Sequence, residues 1–226
     1  MVVKDKVCIV LPAYNEGKVI YKVLKEIQNE GYNNLFVIND CSKDDTEKQA
    51  KKSGAKVISH EKNKGVGAAT KTGIEFVKKL NFDYFVLMDS DGQHSPKDLH
   101  KLLNYAPKYD VIIGSRLINM KGMPLHRKIF NIIGSFVTWI FFGMYVRDSQ
   151  SGFKVFNKKA INKINLSYDG FEFCSEMIGE IHKNKLSFRE VPIRVIYSNH
   201  SMKKGHGQNL ANGIQMVWRF LKRKFK

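Results

Sequence analysis

A chain of 226 residues with 43% hydrophobic content can build one large domain or two small ones. Its 38 Lys and Arg exceed 21 Asp and Glu to give a formal charge of +17, a field that attracts nucleic acid, anionic lipid or phosphate-rich substrates. Cys8, Cys41 and Cys174 lie far apart, which argues against a disulfide scaffold and a paired-cysteine metal site and suits a reduced compartment, and the opening residues lack the pattern of a signal peptide.

Val7 to Leu11 is an apolar run that predicts the first strand. It stops at Pro12-Ala13-Tyr14-Asn15-Glu16-Gly17, because Pro12 cannot continue a central ladder. Val19, Ile20, Val23, Leu24 and Ile27 then share one helical face. Leu35 to Ile38 predicts strand two, ending at Asn39-Asp40-Cys41-Ser42. Ser42 followed by Asp44 and Asp45 has the form of a helix start. Ala55 to Ser59 predicts strand three, followed by Asn63-Lys64-Gly65-Val66-Gly67 and a helix to about Leu80. Thr70 stands where a dinucleotide fingerprint needs its third glycine, so Gly65 and Gly67 are read as points of close backbone approach to a helix or ligand. Strand, helix, strand in this rhythm implies a parallel sheet with right-handed crossovers, an α/β fold.

The next strand, Tyr84 to Met88, runs into Asp89-Ser90-Asp91-Gly92-Gln93-His94. Carboxylates at a strand's carboxyl end face the crevice where open α/β sheets bind ligands. Two hard oxygen donors there suit Mg²⁺ or Mn²⁺ beside a phosphate, and Gln93 offers a third, neutral oxygen. Three other readings compete. A calcium loop needs a preceding helix and a closing Glu. A phosphatase would use Asp89 as nucleophile, usually after the first strand. Two solvated loop aspartates are the plain alternative. The polar clusters at Tyr14 to Glu16, Asp40, Lys64 to Gly67 and Asp89 to Gln93 all fall on one sheet edge, which favours a site.

Val111 to Gly114 is strand-like and precedes Arg116. Ile129 to Val146 holds 18 residues without a charge, behind His126, Arg127 and Lys128. A crossing of the bilayer would part Asp148 to Lys154 from the metal motif. The stretch is therefore expected to be a bent or paired interfacial helix, with breaks at Gly134 and Gly143 and with Trp139, Phe141, Phe142 and Tyr145 at the headgroup boundary. A dimer interface or a buried core helix is the alternative use. Asp148, Gln150 and Ser151 form a turn back to the site. A helix then starts at Phe171-Glu172-Phe173, where Glu172 or Glu176 either reaches substrate or favours the helix N-terminus. His182 is expected on a helix surface. Val191 to Tyr197 reads as an edge strand because of Pro192. A polar loop at Ser198 to Gln208 and a basic C-terminal helix, 207–226, close the chain.

Pro12 to Glu16, Ile38-Asn39-Asp40-Cys41-Ser42-x-Asp44-x-Thr46, Asn63-Lys64-Gly65 and Asp89 to His94, in this order and spacing, resemble family 2 glycosyltransferases of the GT-A fold. Gly114-Ser115-Arg116 and Asp148-Ser149-Gln150-Ser151-Gly152-Phe153-Lys154 resemble the branch of dolichyl-phosphate mannose synthases and related polyprenyl-phosphate sugar transferases. The resemblance covers roughly residues 6 to 200 and implies a mainly parallel sheet flanked by helices. It implies a nucleotide sugar bound by Pro12, Tyr14, Glu16, Asp40, Lys64, Gly65, Asp89, Ser90 and Asp91. It also implies a cation on Asp89, Asp91 and Gln93, and an acceptor phosphate on Arg116 and Arg127. The expected reaction is inverting transfer to a polyprenyl or dolichyl phosphate by a peripheral protein at the cytoplasmic face of the membrane. Gln93-His94 resembles the UDP-sugar users more than the GDP-mannose users. Met202 to Gln208 departs from the Arg-x-x-Gly-x-Ser-Lys loop of relatives, keeping the glycine but losing the arginine and Ser-Lys. One domain over 1–226 is expected, with residues 126–146 as its interfacial segment. A saccharide or protein acceptor is the runner-up. No nucleic acid is expected, since RNP, helix-turn-helix and zinc patterns are missing.

Overall fold

The computed structural model describes residues 2–120 and 123–197, together with Arg219, Phe220 and Lys222, which are helical. The predicted loop at Ser198 to Gln208 and most of the basic helix at 207–226 lie outside the described residues. After a short 3₁₀ turn at Lys4–Lys6, seven strands form one sheet: β1 (Val7–Ala13), β2 (Leu35–Asn39), β3 (Lys56–Ser59), β4 (Tyr84–Leu87), β5 (Val111–Ser115), β6 (Lys154–Asn157) and β7 (Phe188–Pro192). Their order is β3-β2-β1-β4-β6-β5-β7. β6 runs antiparallel between β4 and β5, and the other pairings are parallel.

Helices α1 (Ile20–Asn29), α2 (Thr46–Lys52), α3 (Val66–Lys78), α4 (Asp98–Leu103), α5 (Leu125–Phe142), α6 (Lys158–Lys163) and α7 (Phe173–Lys183) connect the strands. Alternate residues of a strand point to opposite faces. Val7, Ile9 and Leu11 of β1 therefore join Ile20, Leu24 and Ile27 of α1 and Leu99 of α4 in one core. Cys8 and Val10 join Ile74 of α3 and Met177 and Ile178 of α7 in the other. Both faces of the sheet are covered, as near-continuous apolar strands require.

Three expectations change. The uncharged stretch is one helix, α5, with no break at Gly134, which lies buried inside it; Gly143 ends it in the left-handed region at φ 74°. Phe141 and Phe142 are half-buried rather than fully outward, packing on Phe220 tilted and edge-on respectively. The edge strand sits earlier than Val191 to Tyr197, because Pro192 closes β7 rather than opening it. Beyond it Val195 makes one isolated bridge to His94. Strand β6 has no counterpart in the sequence reading: it is short and begins with Lys154, so its local pattern is weak.

Helix α5 is inverted relative to an ordinary surface helix. Asn131, Gly134, Ser135 and Thr138 face inward and are buried. Leu125, Ile129, Ile132, Ile133, Phe136, Trp139 and Ile140 face outward, each between 46% and 71% exposed. An amphipathic helix normally turns its apolar stripe to the core.

Candidate active site

The loops leaving β1, β2 and β4 meet at one sheet edge. Side chains of the second loop hold the backbone of the first: Ser42 Oγ accepts from Asn15 N (2.9 Å), Thr46 Oγ1 from Glu16 N (2.7 Å) and Asp44 Oδ2 from Gly17 N (3.0 Å). Ser42 thus braces the turn, and the helix it was expected to start begins at Thr46, whose amide donates to Asp44. Asn15 occupies the left-handed region at φ 54°, which Asn tolerates better than most residues. Asp40 is buried beside His60 Nδ1 (2.7 Å) and accepts from the amides of Lys64 (2.9 Å) and Gly65 (2.8 Å). Its carboxylate therefore shapes the Asn63 to Gly65 turn and keeps a further acceptor position on Oδ2. Gly65, at φ 97°, and Gly67 allow the Tyr168 to Gly170 loop to come close; an added Cβ would lie 2.5 Å from Asp169 O and 2.4 Å from Tyr168 O.

Ser90 donates to Pro12 O (2.7 Å), tying the fourth strand's exit to the first. Asp89 lies in dense protein, yet 42% of its side chain is open to the cleft. Burial opposes its ionisation, but His94, at 3.2 Å, with Arg116 and Lys154 outweighs that and holds it below the usual carboxylate range. Asp91 is pushed the other way by burial and by the Asp89 charge. Two neighbouring carboxylates with opposed shifts form an anionic pair in need of a cation.

The turn 147–152 presses on this pair from β6. An added Cβ on Gly152 would fall 2.0 Å from Asp89 Oδ2 and 2.1 Å from Oδ1, so only glycine admits the carboxylate. The turn is held at several points. Asp148 accepts from Arg116 N and Nε (both 2.8 Å) and Nη2 (2.7 Å). Glu190 accepts from the amides of Arg147 (3.0 Å) and Asp148 (3.1 Å). Lys154 is fully buried, with Nζ donating to Ser151 O and lying 3.5 Å from Ser149 O; burial lowers its pKa. Burial also works against the Arg116 charge, but Asp148 and Asp89 hold the guanidinium firmly protonated.

Pro12, Tyr14, Glu16, Asp40, Gly65, Asp89, Ser90 and Asp91, all predicted, line one cleft of about 320 Å³. Ala13, Asn63, Val66, Ala69 and Phe171 complete it; from sequence Phe171 marks only a helix start. The other predicted residues lie outside that cleft. Lys64 reaches it through its backbone, and its side chain lines a basic depression on α3 with Lys62, Lys71 and Lys79. Gln93 contributes its main chain, donating to Asp91 Oδ1 (2.9 Å) and accepting from Ile196 N (2.8 Å). Arg116 is clamped by Asp148, and its charge favours the ionised forms of Asp89 and Tyr197. Arg127 lies 5.5 Å over the Tyr197 ring, and Tyr197 itself lines a second cavity of about 410 Å³ with Asn119, Met123 and Arg194. Glu176 braces the 167–168 loop and Glu172 pairs with Arg219 (2.9 Å). His182 is exposed, as expected.

Among the described residues no cluster of three or more His, Cys, Asp or Glu side chains forms a closed metal cage. Asp89 and Asp91 still fit Mg²⁺ or Mn²⁺, ions that bind through one or two carboxylates plus substrate phosphate and water.

The glycosyl transferase family 2 profile matches residues 8–164. The UDP-N-acetylglucosamine–dolichyl-phosphate N-acetylglucosaminyltransferase of Methanococcus voltae is 38% identical over 239 residues, spanning 94% of this chain and 94% of that protein. The undecaprenyl-phosphate mannosyltransferase of Micrococcus luteus is 25% identical over 227 residues, spanning 95% and 93%. Among solved structures, glucosyl-3-phosphoglycerate synthase from Mycobacterium tuberculosis, in complex with Mn²⁺, uridine diphosphate and phosphoglyceric acid, matches with a TM-score of 0.72 at 17% identity over 95% of this chain and 75% of that one. At that identity the likeness concerns the fold.

Proposed function

Because the chain belongs to glycosyltransferase family 2, with its GT-A fold, we propose that it moves one sugar from a nucleotide sugar, preferably a UDP-sugar, to a polyprenyl or dolichyl phosphate, bound peripherally at the cytoplasmic face of the membrane. The observation that carries this reading is the single cleft that joins Tyr14, Glu16 and Asp40 to the Asp89–Asp91 pair. The named activity of the Methanococcus voltae relative supports the donor and acceptor classes.

Tyr14 offers a ring face and Asp40 an acceptor to the nucleoside. Asp89 and Asp91 would hold the divalent cation, which when bound would offset charge on the departing diphosphate. An acceptor phosphate oxygen attacks the anomeric carbon in line, the bond to the diphosphate breaks, and the nucleoside diphosphate leaves with the electron pair. A phosphate monoester is already mostly ionised near neutral pH, so it needs positioning more than deprotonation. Arg127, which lies over the Tyr197 ring, and the clamped Arg116, whose charge also acts on Tyr197, supply that positioning, since guanidinium matches phosphate oxygens in pairs.

Helix α5 supplies the lipid side. Its outward apolar stripe lies among Arg127, Lys128 and Arg147, a pattern suited to an anionic bilayer surface. Among the described residues no helix is long and apolar enough to cross a membrane.

The test is transfer by the purified protein from a panel of UDP- and GDP-sugars to a polyprenyl phosphate in mixed micelles, read as lipid-linked product. Transfer to a free saccharide or peptide but to no lipid phosphate would replace this acceptor with the runner-up.

A further inference from the structure

The buried face of α5 does not end at the helix. Thr138 Oγ1 lies 3.0 Å from Ser149 Oγ and 2.7 Å from Ser175 Oγ. Ser135 Oγ accepts from Ser149 N (3.1 Å) and donates to Arg147 O (2.9 Å). Gln150 Nε2 donates to Ser149 Oγ (3.0 Å) and Ser175 Oγ (2.9 Å). Ser135, Thr138, Ser149 and Ser175 are all essentially inaccessible to water. A buried network of this kind is geometrically specific, because each broken link leaves a polar atom unsolvated. The network links α5, which carries the outward apolar stripe, to the turn whose Gly152 abuts Asp89.

We propose that Thr138 and Ser149 are positioning residues for Asp89. The hydroxyl ladder sets the height of the 147–152 turn, and through the close contact at Gly152 the turn sets where the Asp89 carboxylate stands. The inference rests on the reading that Asp89 holds the divalent cation. It explains why α5 turns hydroxyls rather than leucines inward: apolar packing would hold the helix but not fix the turn in register.

Thr138→Val keeps the shape and removes the hydroxyl. Isothermal titration of Mn²⁺ into the full chain with saturating UDP, without turnover, should show binding about tenfold or more weaker than wild type, the scale of outer-shell losses at metal sites. Thr138→Ser should restore it. Circular dichroism and the melting temperature report folding separately, and Ser149→Ala repeats the test if Thr138→Val does not fold. Equal Mn²⁺ affinity in wild type and a folded Thr138→Val or Ser149→Ala overturns the ladder while leaving the proposed function standing. Wild-type protein that binds no Mn²⁺ with UDP removes the metal reading and the ladder with it. Weakened binding that Thr138→Ser does not restore assigns the effect to packing and also overturns the proposal.

Discussion

Substituting Gly152 by Ala places one methyl group against the carboxylate of Asp89. An ordinary contact for a Cβ lies at 3.4–4 Å, and this one would begin 2.0 Å from Oδ2 and 2.2 Å from Cγ. The backbone itself can accept alanine, since Gly152 is not among the glycines at positive φ. The turn cannot easily withdraw, because Arg116, Glu190 and Lys154 hold it on three sides. Asp89 must give way by more than about 1 Å. A shift of that size at a reacting centre costs on the order of 100-fold in rate, about 2.7 kcal/mol of barrier. The expected phenotype is a folded protein with a higher Mn²⁺ concentration for half-maximal transfer and a sharply reduced kcat, while UDP still binds to the Tyr14–Asp40 end. The assay is lipid-linked sugar formation across a Mn²⁺ titration, beside a melting curve. An unchanged Mn²⁺ midpoint and turnover in Gly152→Ala would refute the argument that this contact places the carboxylate.

Arg127→Ala should raise the KM for lipid phosphate at least tenfold, on the scale of a lost charge-assisted contact, and leave donor affinity nearly unchanged; equal losses for both substrates would move Arg127 away from the acceptor. Replacing Phe136 and Trp139 together with Ser removes two half-exposed rings from the outward stripe. Vesicle flotation should then weaken by on the order of 100-fold, about 3 kcal/mol, at low and high salt alike, because apolar insertion is not screened. Asp110 tests the far end of the sheet. Burial opposes its charge, but Asn157, Ser187 and Lys159 hold its pKa at about 2. Its folded value lies below its unfolded one, so its contribution is fully present above pH 4 and fades as pH falls through 2. Melting of wild type and Asp110→Asn should therefore converge below about pH 2 and separate by roughly 2 kcal/mol near neutrality; parallel curves across that range would contradict the assignment.

The first four strands and most of the cleft were legible because each apolar run ends in a polar cluster, and parallel strands bring such ends to one edge. Tyr14, Asp40 and Asp91 could be placed together without knowing a single contact. Other features are invisible to local pattern. The contact of Gly152 with Asp89 joins positions more than sixty residues apart in sequence. Strand β6 is four residues long and starts with a lysine that is buried only because the 149–151 carbonyls receive it. The uncharged stretch is legible as helix, but its face is not: Phe141 and Phe142 pack on Phe220 rather than lying with the outward stripe, since a run apolar all round does not declare its face. The clue was present: Asn131, Ser135 and Thr138 recur at helical spacing within the uncharged stretch and mark the side that seeks hydrogen-bond partners.

The antiparallel position of β6 has a consequence for how the chain is made. Strands β1 to β4 are complete by residue 87, and three of them pair with neighbours already synthesised. The outer edge of β4 must wait for residues 154 to 157. At about 5–20 residues per second, the ribosome leaves that row of amides and carbonyls unpaired for several seconds. An apolar strand with an open edge invites pairing with another chain. Closure of the sheet is thus a late, long-range event. The interval between residues 88 and 153 is the window in which the nascent protein depends most on being kept apart from its copies.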